Sequence, residues 1–250
     1  MEENVLYFDW RYLAAILVCL LVSGYAGGKV RSTYAKYDRV RCSSGMTGHD
    51  AAVRLLQAGQ ITDITVGKTG GVLSDHYHPV KHTVNLSEST YGSASVAAVA
   101  VAAHEVGHVL QNKWGYLPYR FRTAIVPVVN LGSGLAVPLV LIGVLLQTGV
   151  AVAGRSDLGY TLAVTGVVLY GFSVLFALVT LPVEYNASRR AKDMLLAEGV
   201  LTEAELPGAE AVLSAAAMTY LASLLVSLVS FLRFLFLVLS VFGHGRRTRS

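Results

Sequence analysis

Residues 158–190 read LGYTLAVTGVVLYGFSVLFALVTL and then PVEYNASRR, and this junction decides the class of fold. Leu158–Leu181 contains no charged side chain and exceeds the roughly 20 residues that a helix needs to cross a bilayer. Glu184, Arg189 and Arg190 follow at once. A carboxylate so near lipid needs a partner, because an unpaired charge there is costly. The segment therefore predicts a membrane helix that emerges directly into a polar site.

Three further apolar runs surround it. Leu135–Ala153 precedes it across the short link Gly154-Arg155-Ser156-Asp157, and the two together predict a helical hairpin. The first run, Tyr12–Gly28, follows Glu2, Glu3 and Asp9 and precedes Lys29, Arg31, Lys36, Arg39 and Arg41. That charge order is the reverse of a signal peptide, so it predicts an uncleaved anchor with its N-terminus outside. The last run, Ala211–Phe242, exceeds one span and encloses Arg233, so it reads as one long helix or as a tight hairpin. Composition agrees with a membrane location: 54% of the 250 residues are hydrophobic and 14% charged, with a mean hydropathy of +0.53. Ordinary soluble domains carry roughly a quarter charged residues.

With an external N-terminus, residues 29–134 fall inside together with Arg120 and Arg122, and Arg189, Arg190 and Lys192 return to the same side. A single last span would put Arg246, Arg247 and Arg249 outside, against that rule. The net charge of +4 is concentrated beside the first run, where it suits anionic lipid, and no nucleic-acid-binding module is present. The two cysteines, Cys19 and Cys42, make neither a disulfide framework nor a cysteine metal site.

Between the first two spans, Thr47 and Asp50 resemble a capping box that opens a short helix through Ala52, Leu55 and Leu56, with Gly59 placed to end it. Asp63–Thr69 and His82–Ser87 have strand character around the turn signals Gly70-Gly71 and His78-Pro79. Ser95–Lys113 predicts a helix of about five turns.

That helix carries His104-Glu105-Val106-Gly107-His108. Histidines four apart project from one face and can chelate one ion, with Glu105 leaning toward a bound water. With 7 His and 9 Glu in the chain, composition alone gives about 0.007 chance matches. Catalytic zinc takes three protein ligands and keeps one position open. A carboxylate beside the water then serves as general base. His104 and His108 are thus candidate zinc ligands and Glu105 a candidate catalytic base. Glu184 is the candidate third ligand, since two spans separate it from His108 and return the chain to one membrane face. His76, His78 and His82 are rivals for that place, and pairing of Glu184 with Arg189 or Arg190 is the plain structural alternative.

The chain resembles the YugP-like family of bacterial membrane zinc metallopeptidases, also described as neutral zinc metallopeptidases. The likeness lies in Lys29–Gly45, Ser74-Asp75-His76-Tyr77, Val84-Asn85-Leu86-Ser87-Glu88, the helix Ser95–Gln111 with H-E-V-G-H, and Leu181–Ala191. It covers nearly the whole chain. The resemblance implies a gluzincin-like site with Glu184 as third zinc ligand, and a peptide or protein substrate paired in extended form along His82–Ser87. It also implies a bacterial cell membrane, and the basic residues put the site on the cytoplasmic side. Soluble gluzincins often place an acidic residue four after the ligand Glu to orient a histidine; Ser188 stands there instead. Donors to the developing oxyanion could come from His76, His78, Tyr185 or Arg189.

The expected architecture is mainly α: a helical integral membrane protein of about four transmembrane helices with a small α+β zincin-like catalytic part. Its segments are an anchor (1–28), the catalytic part (29–134), a membrane hairpin (135–182), a third-ligand helix (183–210), and a C-terminal membrane helix with a basic tail (211–250). Two other functions fit the same outline, a membrane transporter or channel built on Glu184 and Arg233, and a zinc-stabilised scaffold without proteolysis. An intact Glu105 speaks against the scaffold. Gly67-Lys68-Thr69 is no P-loop, because Thr62 stands where the first glycine belongs. The sequons at Asn85 and Asn186 fall on the side read as cytoplasmic. Gly24 and Gly28 could allow close helix packing.

Overall fold

The computed structural model of the chain describes residues 10–148 and 156–243. The acidic residues before the first helix, the link at Gly154-Arg155, and Arg246, Arg247 and Arg249 lie outside them. The elements are α1 (Trp10–Tyr37), α2 (Gly48–Ala58), β1 (Thr65–Thr69), β2 (His76–His78), β3 (Thr83–Ser87), α3 (Glu88–Tyr91), α4 (Val96–Lys113), α5 (Leu117–Thr148), α6 (Ser156–Ala197) and α7 (Leu206–Gly243). The protein is mainly helical, and α1, α5, α6 and α7 are each long and apolar enough to cross a membrane.

Hydropathy located these four helices but not their ends. α6 has 42 residues, about 63 Å at 1.5 Å per residue, which is twice the thickness of a hydrocarbon core. The third apolar run and the segment bearing Glu184 are therefore one uninterrupted helix rather than two elements. α5 begins at Leu117, well before the apolar run at Leu135, and keeps Pro127 and Pro138 inside it. Proline is tolerated there because each removes only one N–H from the ladder and the rest of the helix holds. α7 is one helix of 38 residues, so the last apolar run is not a hairpin.

The chain divides into two compact units. One comprises Met1–Ser23, Phe121–Val179 and Leu221–Ser250. Within it α5 and α6 pack backbone to backbone. A Cβ on Gly143 would stand 2.5 Å from the Gly159 carbonyl oxygen, and one on Gly166 2.6 Å from that of Ala136. These glycines, rather than Gly24 and Gly28, which have nothing within 4 Å, set the close helix packing. Arg233 is held by stacking on the Tyr12 ring, 3.4 Å from its centroid.

The other unit comprises Gly24–Arg120 and Thr180–Tyr220. α4 runs through its centre, with Val96, Val99, Val106 and Val109 all buried among Leu55, Leu86 and Leu195. The Thr47–Asp50 capping box forms as expected and Gly59 caps the other end of α2. Ser95 caps α4 by accepting from the Ala98 N–H and donates to Asp38.

The sheet has the order β1-β3-β2, with β1 parallel and β2 antiparallel to β3. This corrects the expectation that an extended substrate pairs along His82–Ser87. β3 is the central strand, paired with β1 along its whole length and with β2 over Thr83–Asn85, while the Ser87 N–H is taken by the Asp75 carboxylate. Two or more strands are expected from the sequence, and the third is the His-Tyr-His stretch, whose polar residues give it no strand pattern of its own.

Candidate metal centre

The H-E-V-G-H helix meets α6 at closest approach, and Gly107 is the reason it can. A Cβ there would lie 2.7 Å from the Ala187 carbonyl oxygen and 3.2 Å from the Ala187 Cα, so only glycine lets the two backbones touch. Ala103, Ala187 and Ala191 are buried in the same region. The crossing puts His104 and His108 of α4 against Glu184 of α6. One donor atom from each lies within 4.8 Å of the others, and this is the only such group of His, Cys, Asp or Glu among the described residues.

The distances suit a shared ion. His104 Nε2 is 3.1 Å and His108 Nε2 3.5 Å from Glu184 Oε2. Ligands of one tetrahedral zinc at about 2.0–2.1 Å stand roughly 3.3–3.5 Å apart. A second observation is chemical. Gln111 Nε2 lies 2.7 Å from the Val183 carbonyl oxygen, which can only accept, so the other Gln111 terminus is the oxygen and must accept from His108 Nδ1 at 3.0 Å. The His108 Nε2 of a neutral ring then turns a bare lone pair toward the Glu184 carboxylate. Only a cation reconciles the two, either a proton or a metal ion. Burial opposes charge on His108, yet the carboxylates of Glu184 and Glu105 outweigh it and raise its pKa above the ordinary histidine value. The donor set therefore fits zinc.

Glu105 is buried at 7% exposure. Among the described residues its carboxylate accepts no hydrogen bond, which leaves it free to handle a proton. Ser188 occupies the position where an acidic residue was missing, with its Oγ 3.2 Å from His104 Nδ1. Tyr119, also buried, places its ring 6.3 Å from that of His108.

The rival ligands are engaged elsewhere. His76 donates Nδ1–H to the Ser74 carbonyl oxygen and accepts from Asn85 at Nε2. His78 Nδ1 accepts from the Lys81 backbone N–H, and His82 pairs with Asp63. Tyr185 is 54% exposed and Arg189 is exposed. Arg190 donates to Asn186 Oδ1 and stacks on Trp114, so it does not pair with Glu184 in the manner of the plain alternative. Sequence reading missed Gln111 and Asn186. The one available signal for Gln111 was its position three residues after His108, on the same helical face.

Comparison with known proteins finds one family and one curated relative. The family described as "Putative neutral zinc metallopeptidase" matches residues 12–239. A curated relative, "Putative membrane protease YugP" of Bacillus subtilis (strain 168), is 41% identical over 229 residues, covering 92% of this chain and 97% of the relative. No solved structure matches.

Proposed function

The chain belongs to the neutral zinc metallopeptidase family, and from that premise we propose that it cleaves peptide bonds of protein or peptide substrates beside a membrane, with His104, His108 and Glu184 holding zinc and Glu105 acting as general base. The observation that carries the reading is the convergence of three donor atoms, within 4.8 Å, at the point where Gly107 admits α6. Zinc, when bound, supplies the Lewis acid that polarises the scissile carbonyl and brings water's pKa near 7.

The protein's own residues handle the proton. Glu105 takes a proton from the water whose oxygen attacks the carbonyl carbon, and returns it to the amide nitrogen as the C–N bond breaks. The products are a carboxylate and an amine. Of the four proposed oxyanion donors, His78 has the clearest capacity. Its Nδ1 is the acceptor of the Lys81 N–H, so its Nε2 carries the proton and is free to donate. A neutral His76 has both nitrogens occupied. Tyr185 and Arg189 remain as exposed donors beside Glu184.

Since β3 is covered on both sides, an extended substrate pairs instead along the free edge of β2. Tyr77 in β2 accepts a hydrogen bond from Asn112 of α4, which keeps that edge beside the H-E-V-G-H helix. The site faces the cytoplasm of a bacterial cell membrane in this reading, from the distribution of basic residues.

Glu105→Gln tests the mechanism. The purified variant in detergent should keep its zinc and lose cleavage of an unfolded protein substrate by about 10²–10⁴-fold, the usual worth of a general base. Cleavage at the wild-type rate would overturn the assignment.

A further inference from the structure

Gln111 is fully buried one turn beyond His108, and every polar atom of its amide is used. Its oxygen accepts from His108 Nδ1 at 3.0 Å. Its nitrogen donates to the Val183 carbonyl oxygen at 2.7 Å and to Asn186 Oδ1 at 3.0 Å. Asn186 Oδ1 accepts in turn from Arg190 Nε at 2.8 Å. The Val183 carbonyl immediately precedes Glu184 in α6. One amide therefore touches a candidate ligand on α4 and the backbone beside the other candidate ligand on α6.

We infer that Gln111 is a positioning residue of this site, fixing His108 with its proton on Nδ1 and its Nε2 toward the metal position while tying the Glu184 turn of α6 to the same helix face. The inference rests on the metallopeptidase reading above and deepens it. The logic is one of forced roles. A carbonyl cannot donate, so Val183 fixes which end of the amide is nitrogen. That end cannot then face His108, so the imidazole must be the donor at Nδ1. Free imidazole in water has no such constraint, and a histidine with the other tautomer would point an N–H where a ligand lone pair is required. Asn186 and Arg190 keep the amide from turning over, because Asn186 Oδ1 is occupied by two donors and acts only as acceptor.

The second contact also explains why a polar side chain can be fully buried against α6. An unbonded amide there would be costly, whereas a fully bonded one specifies a single arrangement of the two helices. Removing it loosens both the ring and the crossing.

The test is zinc affinity, measured by chelator competition on the full chain in detergent, for the wild type, Glu184→Ala, Gln111→Met and Gln111→Glu. Met fills similar volume without donor or acceptor, and zinc binding should weaken by roughly 10–100-fold while helical content is unchanged. Glu keeps an acceptor for Nδ1–H but loses the donor to Val183 and Asn186, so its affinity should fall between those of the wild type and the Met variant. A Met variant that binds zinc as the wild type does, or a Glu variant as weak as the Met variant, overturns the orienting role. Should the Met variant fail to fold, nitrogen-15 NMR of histidine-labelled, zinc-loaded wild type decides: a slowly exchanging proton on His108 Nδ1 is expected, and a proton on Nε2 overturns the inference. Glu184→Ala separates this from failure of the site itself. If the wild type binds no zinc, or Glu184→Ala binds it equally well, the three-ligand reading is what falls.

Discussion

Glu184 is the α6 member of the candidate site, and its replacement is the sharpest residue-scale experiment. Two histidines alone leave zinc with half its shell from water, so Glu184→Ala should lose bound zinc on dialysis while Glu105→Gln retains it, as elemental analysis of the purified chains would read. Equal zinc in both would return the third ligand to His76, His78 or His82. At Ser188 the effect should be smaller. A hydroxyl 3.2 Å from His104 Nδ1 orients the ring more weakly than a carboxylate would, so Ser188→Ala should cost only a few-fold in zinc affinity, below the loss at Gln111. The histidine pair was legible in sequence because a helix turns spacing into geometry, and Glu184 because a carboxylate beside lipid demands a partner. Gln111 and Asn186 were not legible, since an amide has no spacing rule and its role depends on which backbone it meets.

At the scale of elements, the meeting of α4 and α6 is set by small residues rather than by charge. Gly107→Ala inserts a Cβ 2.7 Å from a backbone oxygen that cannot swing aside, so the helices must separate by a few tenths of an ångström or more. Overpacking of this kind costs about 1–3 kcal/mol, partly offset by up to 1 kcal/mol of better helix propensity. The variant should therefore stay folded by circular dichroism yet bind zinc at least tenfold more weakly; unchanged affinity would show that the crossing does not set the site. A second element-scale device is Glu205, at the start of α7. It accepts from the backbone N–H and hydroxyl of both Thr202 and Ser43. Burial opposes its charge, but these four bonds outweigh it and hold the pKa below the usual carboxylate value. A depressed folded pKa contributes stability above the unfolded value of about 4.3, lost as pH falls through the folded value. Glu205→Gln should melt lower than the wild type at pH 7, and the two melting curves should converge in acid. A gap that does not change with pH would mean that charge is not responsible. Such tethers lay beyond sequence reading because Ser43 and Glu205 are distant in the chain. The α2 capping box was legible for the opposite reason, its two partners being three residues apart.

At the scale of the whole molecule, basic residues govern which way the chain faces. Four apolar helices were countable from hydropathy, but α5 and α6 outrun their apolar segments because helix propensity continues where lipid solubility stops. With α7 a single helix, four crossings would return the chain beyond α7 to the side from which α1 starts. Arg246, Arg247 and Arg249 then oppose Lys29, Arg31, Lys36, Arg39 and Arg41, together with Arg189, Arg190 and Lys192. The larger set directly follows the apolar parts of α1 and α6, where basic residues count most, so it should take the cytoplasmic side and force the smaller set out. A chain with Cys19 and Cys42 replaced by alanine permits a direct test, since Cys42 is buried and accessory to no proposed role. A cysteine at Val80, 83% exposed before β3, should resist a membrane-impermeant maleimide in intact cells and react once they are opened. A cysteine at Ser250 should react in intact cells. The reverse pattern would put the metal centre outside, where its substrates would be exported proteins. Protection of both would mean that one of the four helices does not cross.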